Sequence, residues 1–278
     1  MLMPVHAMVI ALLALSTPGW AQQGESAADA ESPALRVSGE LALVSDYRYR
    51  GISESDNDVA VEGGLTVIHE SGFYTAAWAS TLRGWGTFGG ADIELDLSLG
   101  YITAIGNAAI DTGITWISFP GGVNETDFWE GFVHVSGSTG PLDLTASVYY
   151  APPQEALGNF SATPFSRGQS EDNLYLAGDA NLPIADTPIT LSGHIGYSNG
   201  NPGLGPNNTS LAPTGEYWDW SLGASLPLAG PLTLSISYID TDIGAAESAF
   251  LQPFFSEGQD GTGSIADARL VIGLTAKF

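Results

Sequence analysis

The sequence predicts an all-β fold, an antiparallel transmembrane barrel of about 12 strands of the outer-membrane kind. Three observations predict it: an apolar/polar period of two through most of the chain, connections that alternate between short and long, and an N-terminal segment of export-signal length.

The chain of 278 residues opens with MLMPVHAMVIALLALSTPGWAQQ. Its apolar run, Val9 to Leu15, is too short to span a bilayer as a helix, and small residues precede a cut after Ala21. Residues 1–21 read as a signal peptide, although no Lys or Arg precedes the apolar run, and residues 22–34, QQGESAADAESPA, as a polar tail. Residues 35–278 remain for the barrel. An exported chain without cysteine draws its stability from packing and backbone pairing alone. Only 14% of the residues are charged and 35 are glycine, which is unusual for a cytosolic enzyme. No later stretch offers the ~20 apolar residues of a membrane helix.

From Leu35 onward side chains alternate as only a strand allows. In ADIELDLSLGY, Ile93, Leu95, Leu97 and Leu99 oppose Asp92, Glu94, Asp96 and Ser98; PLTLSISYIDTD and YWDWSLGASLPL repeat the pattern. Strands are expected near 35–50, 58–69, 72–82, 91–102, 107–118, 127–136, 141–151, 171–182, 187–198, 215–227, 231–242 and 264–278. The even-numbered ones are followed by tight turns: HESG, AIGN, SGSTG, PIADT and LAG. Odd-numbered ones are followed by GISESDN, RGWGTFGG, FPGGVNET and three longer loops around 152–170, 199–214 and 243–263. Tight periplasmic turns alternating with long extracellular loops are what an outer-membrane barrel requires, and a soluble sandwich has no reason to sort its loops this way.

With periplasmic termini, Tyr47, Tyr49, Trp116, Tyr149, Tyr150, Tyr197 and Tyr238 end outgoing strands, and Phe128, Trp129, Tyr175, Tyr217, Trp218 and Trp220 begin incoming ones. All fall at one edge, as an interfacial aromatic girdle would. The chain closes on Phe278, preceded at alternate positions by Leu270, Ile272, Leu274 and Ala276, with Gly273 among them. This ending resembles the C-terminal signal that the barrel assembly machinery reads.

Lipid satisfies no backbone group, so the sheet must close and the polar half of each strand must line the lumen. That puts Arg36, Glu40, Asp46, Arg48 and Arg50 inward on the first strand, Asp58 and Glu62 on the second, and Asp92, Glu94 and Asp96 on the fourth. Glu130, Asp179, Asp219, Asp267 and Arg269 follow on later strands. First and last strands adjoin at closure, so Arg36, Arg48, Arg50 and Arg269 are expected on one wall, facing Asp92, Glu94 and Asp96 as selectivity residues. Two arrangements are open. The arginines line a water-filled pore that sorts solutes by field and size, or they neutralise carboxylates and plug the barrel.

The stretch VSDYRYRGISESDND, followed by GGLTVIHESGFYTAAWAS, resembles the opening of the TorF porin family of proteobacterial outer-membrane barrels. The likeness continues in ELDLSLGY and GPLDLTASVYYAP; Arg48, Gly51, Ser53, Asp56, Gly72, Phe73, Tyr74, Trp78 and Ser80 carry it. It implies a barrel in the outer membrane with channel function.

Other chemistry is weakly signalled. Ser192 and His194 share a strand face, as in a barrel hydrolase, but no G-x-S-x-G elbow accompanies them. His69 and His134 stand apart, and the acidic ESDND and DTD lack EF-hand spacing, so neither a metal nor another cofactor is expected. A net charge of −24 argues against nucleic acid and for cations at a channel mouth. The expected partners are outer-membrane lipid, the assembly machinery and small hydrophilic solutes; the expected function is passive diffusion of those solutes, the alternatives a plugged structural or adhesive barrel and, after it, a barrel hydrolase. Oligomeric state is open.

Overall fold

A computed structural model describes residues 34–122, 126–159, 168–200, 216–244 and 264–278. The expected signal peptide, residues 1–21, and nearly all of the expected polar tail lie outside the described residues.

The described chain forms β1 (Leu35–Val44), β2 (Arg48–Tyr49), β3 (Ile52–Ser53), β4 (Ala60–His69), β5 (Phe73–Thr81), β6 (Ile93–Ile105), β7 (Ala108–Ser118), β8 (Phe128–Thr139) and β9 (Leu142–Gln154). A one-turn helix α1 (Glu155–Asn159) precedes β10 (Glu171–Pro183), β11 (Thr190–Gly200), β12 (Glu216–Pro227), β13 (Leu232–Thr241) and β14 (Arg269–Lys277). β1 and β4 to β14 make a closed antiparallel barrel of 12 strands, with β2 and β3 as a separate ribbon. Closure leaves no sheet edge to template aggregation.

Alternation decides which way each side chain points. Leu41, Leu43, Val61, Leu97, Leu99, Ile114, Val133, Ile195, Leu222, Ile236 and Leu270 stand on the outside, Leu222 with 69% of its surface exposed. In water such a continuous apolar exterior would drive association; in a bilayer it is solvated. Ser80, Ser98, Thr115, Ser136, Ser147, Ser198, Ser225 and Ser237 face the other way and are buried. The polar residues are inside and the apolar ones outside, the reverse of a soluble domain.

The seam joins β1 to β14, from Glu40 opposite Lys277 to Val44 opposite Gly273. Phe278 completes it: Gly39 N donates to Phe278 O at 2.7 Å, and Phe278 N donates to Gly39 O at 3.0 Å.

One expected element is wrong in a way that matters. The strand expected over 35–50 leaves the wall at Val44, and residues 45–58 turn into the barrel. Ordinary strand composition hid this. Tyrosine and arginine each carry an apolar body and a polar tip, so their alternation suits an inserted hairpin as well as a wall.

Inside the end of the barrel that carries the long loops, this segment builds an apolar cluster. Tyr47 and Ile52 pack there with Val44, Trp78, Leu82, Trp85, Phe88, Phe119, Phe128, Leu157, Tyr217 and Ile265. The Phe88 ring lies 5.0 Å from Trp85 and 4.4 Å from Phe119, both edge-on. The barrel therefore has a small hydrophobic core, set within its lumen.

Candidate constriction of the lumen

Residues 45–58 read SDYRYRGISESDND. β2 and β3 pair Arg48 with Ser53 and Tyr49 with Ile52, leaving Arg50 and Gly51 as a two-residue turn. Their φ angles are 48° and 83°, the positive values at both central positions that match a hairpin's twist. Gly51 is required twice over: besides its φ, an added Cβ would come within 2.6 Å of Thr241 Cγ2 and 2.8 Å of Asp219 Cβ. Arg50 has no such exemption and sits in the left-handed region at a cost of about 1–2 kcal/mol. What offsets that cost is where its side chain goes.

The two arginines do different things. Arg48 ties the segment to itself: Nε lies 2.6 Å from Asp46 Oδ2, Nη1 donates to Gly51 O at 2.9 Å, and Nη2 donates to Asn57 Oδ1 at 2.8 Å. Nη1 also reaches Asp267 O, just before β14, at 2.8 Å. Arg50 reaches across the lumen. Its Nη1 donates to Asn173 Oδ1 on β10 at 2.7 Å, and Nη2 donates to both oxygens of Glu130 on β8 at 2.8 and 2.7 Å. The guanidinium carbon sits 4.2 Å from the ring centre of Tyr175, 4.8 Å from Tyr49 and 5.5 Å from Tyr149. In sheet order β9 lies six strands from β1 in either direction, so the β8–β10 wall is diametrically opposite the point where the segment departs.

Other bonds pin the segment around the circumference. Tyr47 Oη donates to Glu94 Oε2 on β6 at 2.9 Å, with its ring 5.3 Å from Trp78. Tyr217 Oη on β12 donates to Arg50 O at 3.1 Å, Ser53 N to Ile265 O at 2.9 Å, and Arg83 N to Glu54 O at 3.0 Å. Bonded to five strands and two loops, the segment narrows the lumen by crossing it.

Burial and charge set the protonation of the inserted groups. Burial alone would lower the Arg50 pKa, but Glu130 outweighs it and the pKa rises, so the guanidinium stays charged. Burial pushes the Glu54 carboxyl well above the usual carboxylate range, and the charges of Glu94 and Asp46 add to this. Docked, Glu54 therefore holds a proton that a solvated segment would release. This contribution to docking is fully present below about pH 4.3 and declines as the pH rises toward the elevated docked value. Glu54→Gln is expected to raise the urea midpoint of the folded barrel at pH 8 and leave it nearly unchanged at pH 4; an equal shift at both would exclude titration of Glu54 as the cause.

The expected wall of arginines does not form. Arg36 is exposed near the short-turn end of β1, away from the other three. Arg269 is exposed at the opposite rim, where its Nη2 donates to Asn57 O at 3.1 Å. Asp92 is exposed just before β6, while Glu94 is buried and Asp96 half-buried on the inner face of that strand. The reason is the inward turn of 45–58, which carries Asp46, Arg48 and Arg50 off the wall.

The same turn removes two tyrosines from the expected girdle. Tyr47 is 1% exposed and Tyr49 lies within the segment, both inside the barrel. Phe128, Tyr149, Tyr175 and Tyr217 also have inward parity on their strands; Tyr149 and Tyr150 are adjacent, and only Tyr150 faces out. Trp116, Trp129, Tyr150, Trp218 and Tyr238 do stand on the outside at the long-loop end, with Trp220 half-buried on the same face as Trp218. The tips of Tyr150 and Tyr238 donate to Asp172 and Asp240 at 2.9 and 2.8 Å, leaving the ring bodies free to lie in an apolar layer.

On the β4–β6 side acids line the lumen, and Glu62, Glu94 and Asp96 form no ion pair among the described residues. Glu62, Ser80 and Glu94 form one cross-strand row, and Glu62 Oε1 and Asp96 Oδ1 have no hydrogen-bond partner among the described residues. Opposite them, His194 Nδ1 lies 2.7 Å from Asp179 and Nε2 3.0 Å from Asp219. Both nitrogens are thus engaged by carboxylates and not by Ser192, so the two residues that share this strand face are not hydrogen-bonded as a pair. Tyr175 Oη donates to Asp219 Oδ2 at 2.9 Å, and the hydroxyl end of its ring lies over Gly196, where any Cβ would collide with it. Held at its hydroxyl end, Tyr175 presents its ring to the Arg50 guanidinium.

The Gcw_chp family model, described as a bacterial protein of unknown function, matches residues 27–278. No curated relative matches in sequence. Among solved structures the NanC porin is similar with a TM-score of 0.54 at 12% identity, over 87% of this chain and all of that one; the likeness is one of fold. The KdgM porin in complex with disordered oligogalacturonate aligns with a TM-score of 0.49 at 8% identity, covering 87% of this chain and 98% of that one. An outer-membrane channel from Pseudomonas putida F1 gives 0.42 at 13% identity, covering 92% and 100%. Matched from residue 27 to its last residue, the chain belongs to the Gcw_chp family of bacterial proteins of unknown function.

Proposed function

We propose that the protein is a porin of the Gram-negative outer membrane, passing small hydrophilic solutes by diffusion, with residues 45–58 as its constriction. The observation that carries this reading is the pairing of an apolar exterior with an interior of serine, threonine and carboxylate, crossed by one inserted segment. The resemblance to the TorF porin family supports it, as does the outward aromatic row at the long-loop end.

The lumen favours cations. Glu40, Glu62, Glu94, Asp96, Asp111, Asp179 and Asp219 all have inward parity, whereas Arg50 is neutralised by Glu130 and Arg48 by Asp46. A narrow acidic passage raises the local cation concentration and repels anions. Glu62→Gln combined with Asp96→Asn is therefore expected to move the reversal potential in a KCl gradient toward the anion side; an unchanged potential would exclude both groups as selectivity residues. Glu94 is better left intact in this test because it anchors Tyr47.

Single-channel recording in planar bilayers tests the function itself. Discrete steps from purified refolded protein are expected, and their absence would favour the second reading, a permanently plugged barrel serving as a scaffold or adhesin. The observation on that side is the apolar cluster around Tyr47 and Ile52, which occupies the long-loop end of the lumen.

A further inference from the structure

Arg50 is held by a receptor that its own segment does not build. Of the groups around its guanidinium, only Tyr49 belongs to residues 45–58; Glu130, Tyr149, Asn173 and Tyr175 come from the wall, on the consecutive strands β8, β9 and β10. Arg48 is the internal control. Its side chain is satisfied by Asp46, Gly51 and Asn57 of the same segment and by one backbone carbonyl before β14.

The chemistry of the wall receptor is specific. Glu130 offers both carboxylate oxygens to one nitrogen of a planar cation, Asn173 an acceptor to a second nitrogen, and Tyr175 and Tyr149 present ring faces. Carboxylate oxygens, a lateral amide acceptor and an aromatic plate are together how a guanidinium is recognised, and an ammonium would use fewer of them. All three polar or plate groups are built in: Glu130, Asn173 and Tyr175 are 4%, 1% and 2% exposed. Asn173 is itself positioned, its Nδ2 donating to Ser198 Oγ on β11 at 3.0 Å, and Tyr175 is fixed by Asp219. The arginine that occupies this receptor does so from a strained turn, at φ 48°. Strain of this kind persists where surrounding contacts over-determine it, and a competing ligand need not carry it.

Building on the channel reading, we infer that Glu130, Asn173, Tyr149 and Tyr175 form a solute-binding site for small molecules ending in a guanidinium group, a site that Arg50 occupies in the resting protein as a tethered stand-in. A solute that takes the site displaces Arg50 and frees the tip of the constricting segment, so binding and opening are coupled. The coupling is competitive: solute and Arg50 cannot both hold Glu130.

Methylguanidinium, the free equivalent of an arginine end, is the probe. Two variants empty the site: Arg50→Ala, and replacement of residues 46–58 by Asn-Gly, which leaves the wall untouched. Isothermal titration of each refolded barrel, checked for closure by heat-modifiable gel mobility, is expected to show saturable binding at least tenfold tighter than to the wild type. Glu130→Gln added to either variant is expected to abolish it. Urea, planar and of similar shape but uncharged, is expected not to compete. Absence of saturable binding to both emptied barrels would overturn the inference, as would binding that survives Glu130→Gln. In bilayers the probe is expected to interrupt current through the Arg50→Ala channel and not through Arg50→Ala/Glu130→Gln; uninterrupted current through Arg50→Ala would overturn the claim that the site lies on the solute path. A barrel that binds the probe but never conducts would sink the channel reading while leaving the binding site in place.

Discussion

Replacing residues 46–58 with Asn-Gly is expected to raise single-channel conductance severalfold. The design follows from the register. Val44 pairs with Ala60, so Ser45 then faces Val59 and two residues with positive φ can close the hairpin. No barrel ladder bond is lost, because the deleted residues pair only among themselves and with side chains or loop carbonyls. Glu130 and Asn173 lose Arg50 but gain water, since the lumen is no longer crossed. The variant should therefore fold with a mobility shift like that of the wild type and conduct more. Unchanged conductance in a folded variant would show that solutes, if they pass, do so where residues 45–58 do not stand.

The second large effect is expected from Glu130→Ala. Removing one partner of a buried ion pair leaves the other uncompensated, typically at a cost of ~3–5 kcal/mol. In a rigid core that cost would appear as global destabilisation. Here the stranded group sits on a segment that can leave, so the penalty is capped by the free energy that docks the segment. The outcome is withdrawal of residues 45–58 rather than collapse of the barrel. Trypsin reads this directly: the chain has only 7 Lys and Arg residues, and cleavage after Arg48 and Arg50 is blocked while they are buried. Rapid cleavage at both is expected in Glu130→Ala, with the barrel fragment intact. Adding Arg50→Ala should recover part of the urea midpoint, because no charge is then left without its counterpart. Continued protection of Arg48 in Glu130→Ala would mean that the pair contributes little to docking.

Most of the barrel was legible because its physics is local. A period of two fixes the faces of a strand, and alternating loop lengths fix its direction, so the bounds expected for 107–118 and 215–227 fall within one residue of β7 and β12. The candidate site was legible only as a list of inward residues. Glu130 was on that list, yet nothing near it in sequence points to Arg50, 80 residues away. Tyr149 and Tyr175 were assigned to the exterior because an aromatic near a strand end fits either face. Parity would have corrected both: Val148 and Tyr150 are outward, so Tyr149 is not. The inward turn at Asp46 had one local signal, the glycine at position 51 in a chain otherwise suited to a strand. Its meaning depends on partners on β12 and β13 that no window around it contains.

That dependence orders events in assembly. Residues 45–58 follow directly on the first strand of the barrel, whereas their anchors on β6, β8, β10 and β12 and the carbonyl of Ile265 accumulate strand by strand until the last. The entropy of closing such long chain segments is met by the strand ladders, so the segment cannot dock until the barrel has nearly closed around it. A half-built barrel would thus keep an unobstructed lumen, and burial of Arg48 and Arg50 would mark the moment its wall is complete.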